Sequence, residues 1–223
     1  MKKGKILLIA LCFFILSGGT ALFAQHDVSA VWARLYDRAT TLEQKYQVLQ
    51  SIIEQHSRDM VPVLQKALDE QIRSLKDPRN RTERELAFTI TKLAVKELGR
   101  LKASESAPYV WEVVQSVEEP FLKGEAIIAI GKMGAREYAE ELSLMLRNIN
   151  FNYDNIEYQR ENEILAYALV LALERLKDPA GYKPVFFAST GWYSGRSMVK
   201  ERADAALVTM VDDPTDQLSE IIV

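Results

Sequence analysis

One tetrapeptide recurs along this chain, as Leu98-Gly99-Arg100-Leu101, Ile130-Gly131-Lys132-Met133 and Leu173-Glu174-Arg175-Leu176. Ala206-Leu207-Val208-Thr209-Met210 closes a fourth apolar stretch in the same manner, and the four ends lie 32, 43 and 34 residues apart. The match continues downstream, where Ala107 and Val110 correspond to Ala139 and Leu142, and Val185 takes the same place after Leu176. Apolar segments flank the motif on both sides, so each unit holds two elements. One such pair cannot bury its apolar face alone, so neighbouring pairs must complete each other's core.

The elements read as helices. Between Phe121 and Met133 the residues Ala126, Ile127, Ala129, Ile130 and Met133 recur at helical spacing, Pro120 supplies a pre-set first-turn φ, and Gly134 ends the run. Thr82 with Glu85 three residues later forms a capping-box pattern, and Asp178-Pro179 and Asp213-Pro214 each offer a cap followed by a first-turn proline. No run of alternating apolar and polar residues supports a sheet. The nearest approach is Tyr182 to Phe187, which Pro184 weakens. Ile164 to Leu173 is apolar throughout, so the third first-helix should lie deep between the second, third and last pairs. An earlier pair is placed at Leu42 to Gln55 and Asp59 to Leu75, its second helix carrying Val61, Val63, Leu64, Ala67 and Leu68.

The segment Lys123-Gly124-Glu125-Ala126-Ile127-Ile128-Ala129-Ile130-Gly131-Lys132-Met133-Gly134 resembles HEAT repeats, in particular the short bacterial kind related to those of phycobilin lyases. Small residues such as Ala126, Ala129 and Ala206 would let helices approach closely. The resemblance extends over roughly residues 40 to 223 and implies an all-α chain, a right-handed α-solenoid (armadillo-like) of about five HEAT-like helix pairs. Glu174 departs from the glycine of the other units, and the mid-helix proline of the longer HEAT consensus is missing.

Ahead of the repeats, Lys2, Lys3 and Lys5 precede the apolar run Ile6 to Leu16 and the small-residue stretch ending Ala21-Leu22-Phe23-Ala24. The order is that of a signal peptide, with cleavage expected after Ala24, because eleven apolar residues are too few for a bilayer of roughly 30 Å. An uncleaved anchor over Ile6 to Ala24 is the competing reading. Leu11 before Cys12 does not fit lipidation. The expected organisation is therefore residues 1–24 as signal peptide, 25–40 as lead-in and 41–223 as repeat domain, in a periplasmic or secreted bacterial protein. With Cys12 the sole cysteine, the exported part has no disulfide, zinc-thiolate or thiol-nucleophile chemistry. Removing the leader leaves 25 basic and 31 acidic residues, which speaks against a nucleic-acid partner, and no stable membrane span is expected after cleavage.

Side chains suited to catalysis are sparse. His26 borders the cleavage site and His56 falls between the first two helices, with no second His at metal spacing. The HEAT-repeat hydroxylases hold iron through His-Glu pairs, and no such dipeptide occurs here; the glycosylase branch needs a cationic groove that the charge balance does not supply. Asn152 to Glu157 collects oxygen ligands but lacks the glycine and acidic ladder of a calcium loop. Asp212, Asp213 and Asp216, and Glu137, Glu140 and Glu141, read as helix-start charges and solvated faces. No catalytic, metal or cofactor-binding residue is assigned.

Two loops are richer. The eleven-residue excess of the longer spacing falls within Asn148 to Gln159, which brings Phe151, Tyr153 and Tyr158, and the next link brings Trp192 and Tyr193 between Gly191 and Gly195. Equivalent loops of a solenoid share one edge, so these five aromatics are the candidate partner-binding residues, unless the rings fold down onto the helix ends. The expected function is a non-enzymatic module that binds or scaffolds another exported or envelope protein. A lyase-like subunit binding a small molecule or chromophore is the alternative that the resemblance suggests. At the C-terminus, Leu218, Ile221 and Ile222 either turn inward as a cap or leave an apolar end that pairs with a second copy of the chain or another protein.

Overall fold

The structure, a computed structural model, describes residues 28–75, 81–152, 159–193 and 197–222. The proposed signal sequence and its cleavage site lie outside these residues. Every regular element among the described residues is helical. A helix α1 over residues 28–38 precedes α2 (Leu42–Glu54), α3 (Val61–Leu75), α4 (Arg81–Arg100) and α5 (Ala107–Ser116). Then follow α6 (Pro120–Met133), α7 (Ala139–Phe151), α8 (Gln159–Leu176), α9 (Tyr182–Thr190), α10 (Met198–Met210) and α11 (Thr215–Ile222). No described helix is long and apolar enough to cross a membrane.

Even-numbered helices pack in succession, α2 on α4, α4 on α6, α6 on α8 and α8 on α10, while α3 meets α5, α7 meets α9 and α9 meets α11. The second helix of each pair also packs on the first helix of the next, as α3 on α4, α5 on α6, α7 on α8 and α9 on α10. Two glycines set the closest approaches. A Cβ on Gly99 would lie 2.9 Å from Ala129 Cβ, and one on Gly131 would lie 2.6 Å from Ala172 Cα. At the equivalent point of the third unit, Glu174 makes an ion pair with Arg202 of α10 and accepts a hydrogen bond from Thr209 Oγ1 at 3.3 Å. The side chain that breaks the sequence pattern thus bridges α8 to α10 where the other units bring backbones together.

Within each of the first four pairs the turn is the same. A left-handed residue, His56 (φ 50), Lys102 (φ 51), Gly134 (φ 71) or Lys177 (φ 50), ends the first helix. A short 3-10 turn follows, at Arg58–Met60, Ser104–Ser106, Arg136–Tyr138 and Pro179–Gly181. The left-handed residue folds the chain back, so that the amide of Ala103 donates to the Leu98 carbonyl at 3.1 Å and that of Ala135 to Ile130 at 3.4 Å. Eight residues past each left-handed position sit Leu64, Val110, Leu142 and Val185, all fully buried. The fourth turn corrects one expectation. Asp178 caps the 3-10 turn, accepting from Ala180 N at 3.0 Å, and α9 begins only at Tyr182, with Pro184 in its first turn.

Other helix starts follow local chemistry. Glu119 accepts from the amides of Phe121 (3.1 Å) and Leu122 (2.7 Å), with Pro120 opening α6. Thr41 and Gln44 form a reciprocal capping box at α2. Arg81 opens α4, one residue before the expected cap Thr82, and its Nε donates to Glu85 at 3.1 Å. At α11, Asp213 accepts from the Thr215 amide (3.0 Å) and hydroxyl (2.6 Å), which hold its carboxyl below the usual range. Leu218 and Ile221 of α11 are half-buried against the core; the Ile222 side chain lies outside the description.

Candidate functional site

Of the five aromatics expected to face a partner, Tyr153 and Tyr158 lie outside the described residues. The other three occupy different surroundings. Tyr193 is 1% exposed and its hydroxyl donates to Asn150 Oδ1 at 2.8 Å, while Asn150 Nδ2 donates to the Pro184 carbonyl at 2.8 Å. Burial pushes the Tyr193 phenol well above its ordinary pKa. Trp192 stacks on Tyr193 with ring centroids 4.3 Å apart and donates to the Ile149 carbonyl at 3.3 Å. These two rings seal the end of α7. Phe151 remains 59% exposed, leaning on Phe187 at 5.5 Å.

A larger apolar opening lies across α6, α8 and the start of α10, a cleft of about 510 Å³. Its floor is made of small residues, because Gly124 carries no side chain and Ala168 faces it at 3.4 Å from where a Cβ would stand. Phe121, Ile128, Ile164, Tyr167 and Met198 form the walls, and Glu125, Arg160 and Glu163 bring charge to it. Phe121 is 53% and Met198 65% exposed, both unusual for side chains this large and apolar. Two caps hold them in place. Glu119 fixes the first turn that carries Phe121, and Ser197 accepts from the Val199 amide at 3.2 Å on either side of Met198. Phe121 is also a wall of a second hollow of about 320 Å³ toward α4, which Phe88, Lys92 and Leu93 line.

The cleft residues carry a sequence signal that the repeat pattern hides. Ile127 and Ile128 are adjacent and point in different directions around α6; Ile127 is fully buried and Ile128 turns toward the cleft. The apolar run Ile164 to Leu173 likewise divides, with Ala166, Leu169 and Leu173 in the core and Ile164 and Tyr167 half-exposed. α8 packs on α6, α7, α9 and α10, yet its first turns stay open on the cleft side.

Among the described residues no group of three or more His, Cys, Asp and Glu side chains is placed to hold a metal ion. His56 is exposed at its turn, and Asn152 Nδ2 donates to the Asn148 carbonyl at 2.9 Å; Tyr153 to Glu157 lie outside the description. The cleft offers apolar walls, mixed charge and the hydroxyl-bearing side chains Tyr167 and Ser197, of which Ser197 already serves as a helix cap. That arrangement suits binding of an apolar surface. Comparison with the known protein families, with curated proteins and with solved structures finds no match for this chain.

Proposed function

We propose that this chain is an exported, non-enzymatic helical-repeat protein of the HEAT-like kind, a right-handed α-solenoid of about five pairs that holds another protein of the bacterial envelope. The observation that carries the reading is the open cleft whose walls come from three successive first-helices, with Phe121 and Met198 exposed at fixed positions beside it. Exposed large apolar side chains grouped around a concavity are the usual anchors of a protein interface. The leader ending at Ala24 supports the export assignment, which N-terminal sequencing of the exported protein tests by finding Gln25 first. The test of the binding role is a crosslinking pull-down from the native envelope with wild-type protein and with Phe121→Asp/Met198→Asp. Loss of one reproducible polypeptide from the variant, with an unchanged far-UV circular dichroism spectrum, is expected. Equal capture by both proteins removes the cleft from the interaction.

A second reading rests on the same cleft, whose volume falls within the few hundred Å³ that enclose small ligands. On that reading the chain is a lyase-like or chromophore-binding subunit. Protein purified from its native source would then carry visible absorbance or an extractable apolar molecule, and a colourless preparation with a co-purifying polypeptide decides for the protein-binding role.

A further inference from the structure

The first and last of the stacked helices both carry an exposed apolar stripe. At one end, α1 turns Trp32 and Ala33 toward the core and buries Tyr36, and an ion pair between Asp37 and Lys66 fastens it to α3. Its other side holds Val28, Val31 and Leu35, each 43–46% exposed, at the i, i+3 and i+7 spacing that makes one stripe on a helix. Arg34 and Arg38, both exposed, border that stripe, since each lies three residues past one of its members. Neither arginine makes an ion pair among the described residues. The outer side of α1 is thus an apolar face flanked by cations.

At the other end α10 packs on α8 and α9, with Val199, Ala203, Ala206 and Met210 buried. The side turned away carries Val208, 81% exposed, with Ala205 three, Asp204 four and Glu201 seven residues before it on the same face. Glu201 and Asp204 are exposed and make no ion pair among the described residues, while Arg202 is committed to Glu174 of α8. Residues 197–222 hold six acidic and two basic side chains, so this end is acidic where the stripe of α1 is bordered by arginine. Stacked helical pairs normally finish in polar outer faces. Here each end keeps an apolar stripe beside charge of one sign, and the two signs are opposite.

We propose that α10 of one copy of this chain packs on α1 of the next, joining copies head to tail. The charges fix the direction. Arg34 and Arg38 lie in the second half of α1, and Glu201 and Asp204 in the first half of α10. An antiparallel pairing therefore sets Arg34 and Arg38 beside Asp204 and Glu201 and brings Val28 and Val31 over Val208 and Ala205, whereas a parallel pairing sets the arginines against Val208. Both faces extend over seven residues of helix, about 10 Å, and Ala205 is small enough for the helices to approach closely. Because the two faces differ, each added copy presents a fresh end, which is the open growth of a heterologous contact. The apolar area is small, so the contact is weak and depends on its charges. None of these residues lines the apolar cleft, so every copy keeps its cleft open, and either reading can fail without the other.

The test uses the full chain, exported with its own leader and purified, in sedimentation equilibrium from micromolar to millimolar concentration. The wild type is expected to gain mass steadily with concentration at low salt and to return toward the monomer as salt rises. Two blocked variants, Val31→Asp/Leu35→Asp on α1 and Ala205→Asp/Val208→Asp on α10, should each stay monomeric with the circular dichroism spectrum of the wild type, since all four positions are exposed. Mixed one to one, they should form a dimer and stop there, because each retains the end that the other has lost. Arg34→Glu/Arg38→Glu should abolish growth, and adding Glu201→Lys/Asp204→Lys to the same chain should restore it. A wild type that remains monomeric over the whole range overturns the proposal, as does undiminished association of either blocked variant. So does a mixture of blocked variants that stays monomeric while the wild type associates, which would place a contact of like with like elsewhere.

Discussion

Alanine at Gly131 and alanine at Gly124, two positions on one helix, should have opposite effects. Both changes remove a flexible residue from a helix interior, which favours the folded state by about 1 kcal/mol. They differ in what the new methyl meets. At Gly131 the Cβ would lie 2.6 Å from Ala172 Cα and 3.0 Å from the Ala172 carbonyl oxygen, atoms of the α8 backbone. Carbon atoms rest at about 3.5–4.0 Å, so α6 and α8 must separate by roughly 1 Å, and a gap of that size forfeits a quarter to a half of each contact's attraction. Forcing a methyl into such an interface typically costs about 1–3 kcal/mol, and here the obstacle is backbone, which places the cost toward the upper end. Net destabilisation of about 1–2 kcal/mol should lower the melting temperature by roughly 2–8 °C in a chain of this size. At Gly124 the Cβ would stand 3.4 Å from Ala168 Cβ and 3.8 Å from Ile164, at ordinary contact, so the melting temperature should rise by a few degrees. Differential scanning calorimetry of both variants reads this directly. A Gly131→Ala protein that melts at or above the wild type would refute the close approach. Adding Ala172→Gly should not restore stability, because the clash is with Cα and the carbonyl as well as with the methyl.

Ile130→Asp or Leu173→Asp puts an unpaired carboxylate at a fully buried position between first-helices, and a loss above about 4 kcal/mol should abolish cooperative melting. Tyr193→Phe leaves Asn150 Oδ1 buried without its donor, and urea denaturation should report a loss of about 1–3 kcal/mol. Tyr36 and Tyr193 have phenol pKa values raised in the fold by burial, so the stability they contribute is complete below about pH 10, the pKa of the unfolded phenol, and declines as pH rises beyond it. Melting curves across pH 8 to 12 should show that decline, and the Tyr36→Phe/Tyr193→Phe protein should show less of it. Deleting residues 218–223 removes Leu218 and Ile221 from the core, so a large fall in melting temperature with unchanged mass by light scattering is expected. Loss of a dimer with the melting temperature retained would instead place an interface there.

The repeat could be read from sequence because it is written in buried residues at fixed offsets, as the full burial of Val110, Leu142 and Val185 shows. Gly134 also announced its turn. Lys102, Lys177 and His56 did not, because each takes a left-handed conformation that only glycine signals reliably, and only the coordinates show that four turns share one geometry. Helix α1 fell within the expected lead-in, although Trp32 and Tyr36 stand at helical spacing and Tyr36 is completely buried. The placement of Tyr193 depends on Asn150, a partner 43 residues away that local pattern cannot reveal. The apolar cleft was equally hidden, since Phe121 and Ile128 look like core residues until neighbouring helices fix which side of α6 is covered.

Among the described residues, the principal helix contacts join helices one or two places apart along the chain. Such a protein has a low contact order, so it should fold quickly for its length, without waiting for distant segments to meet. Cooperativity then depends on each pair's grip on the next. The bond between α6 and α8, where backbones touch at Gly131, should hold amide protons longest against exchange, while the first and last helices exchange through local opening. Stretched from its two ends, the chain should yield pair by pair, with the pairs joined by α6 and α8 the last to give way.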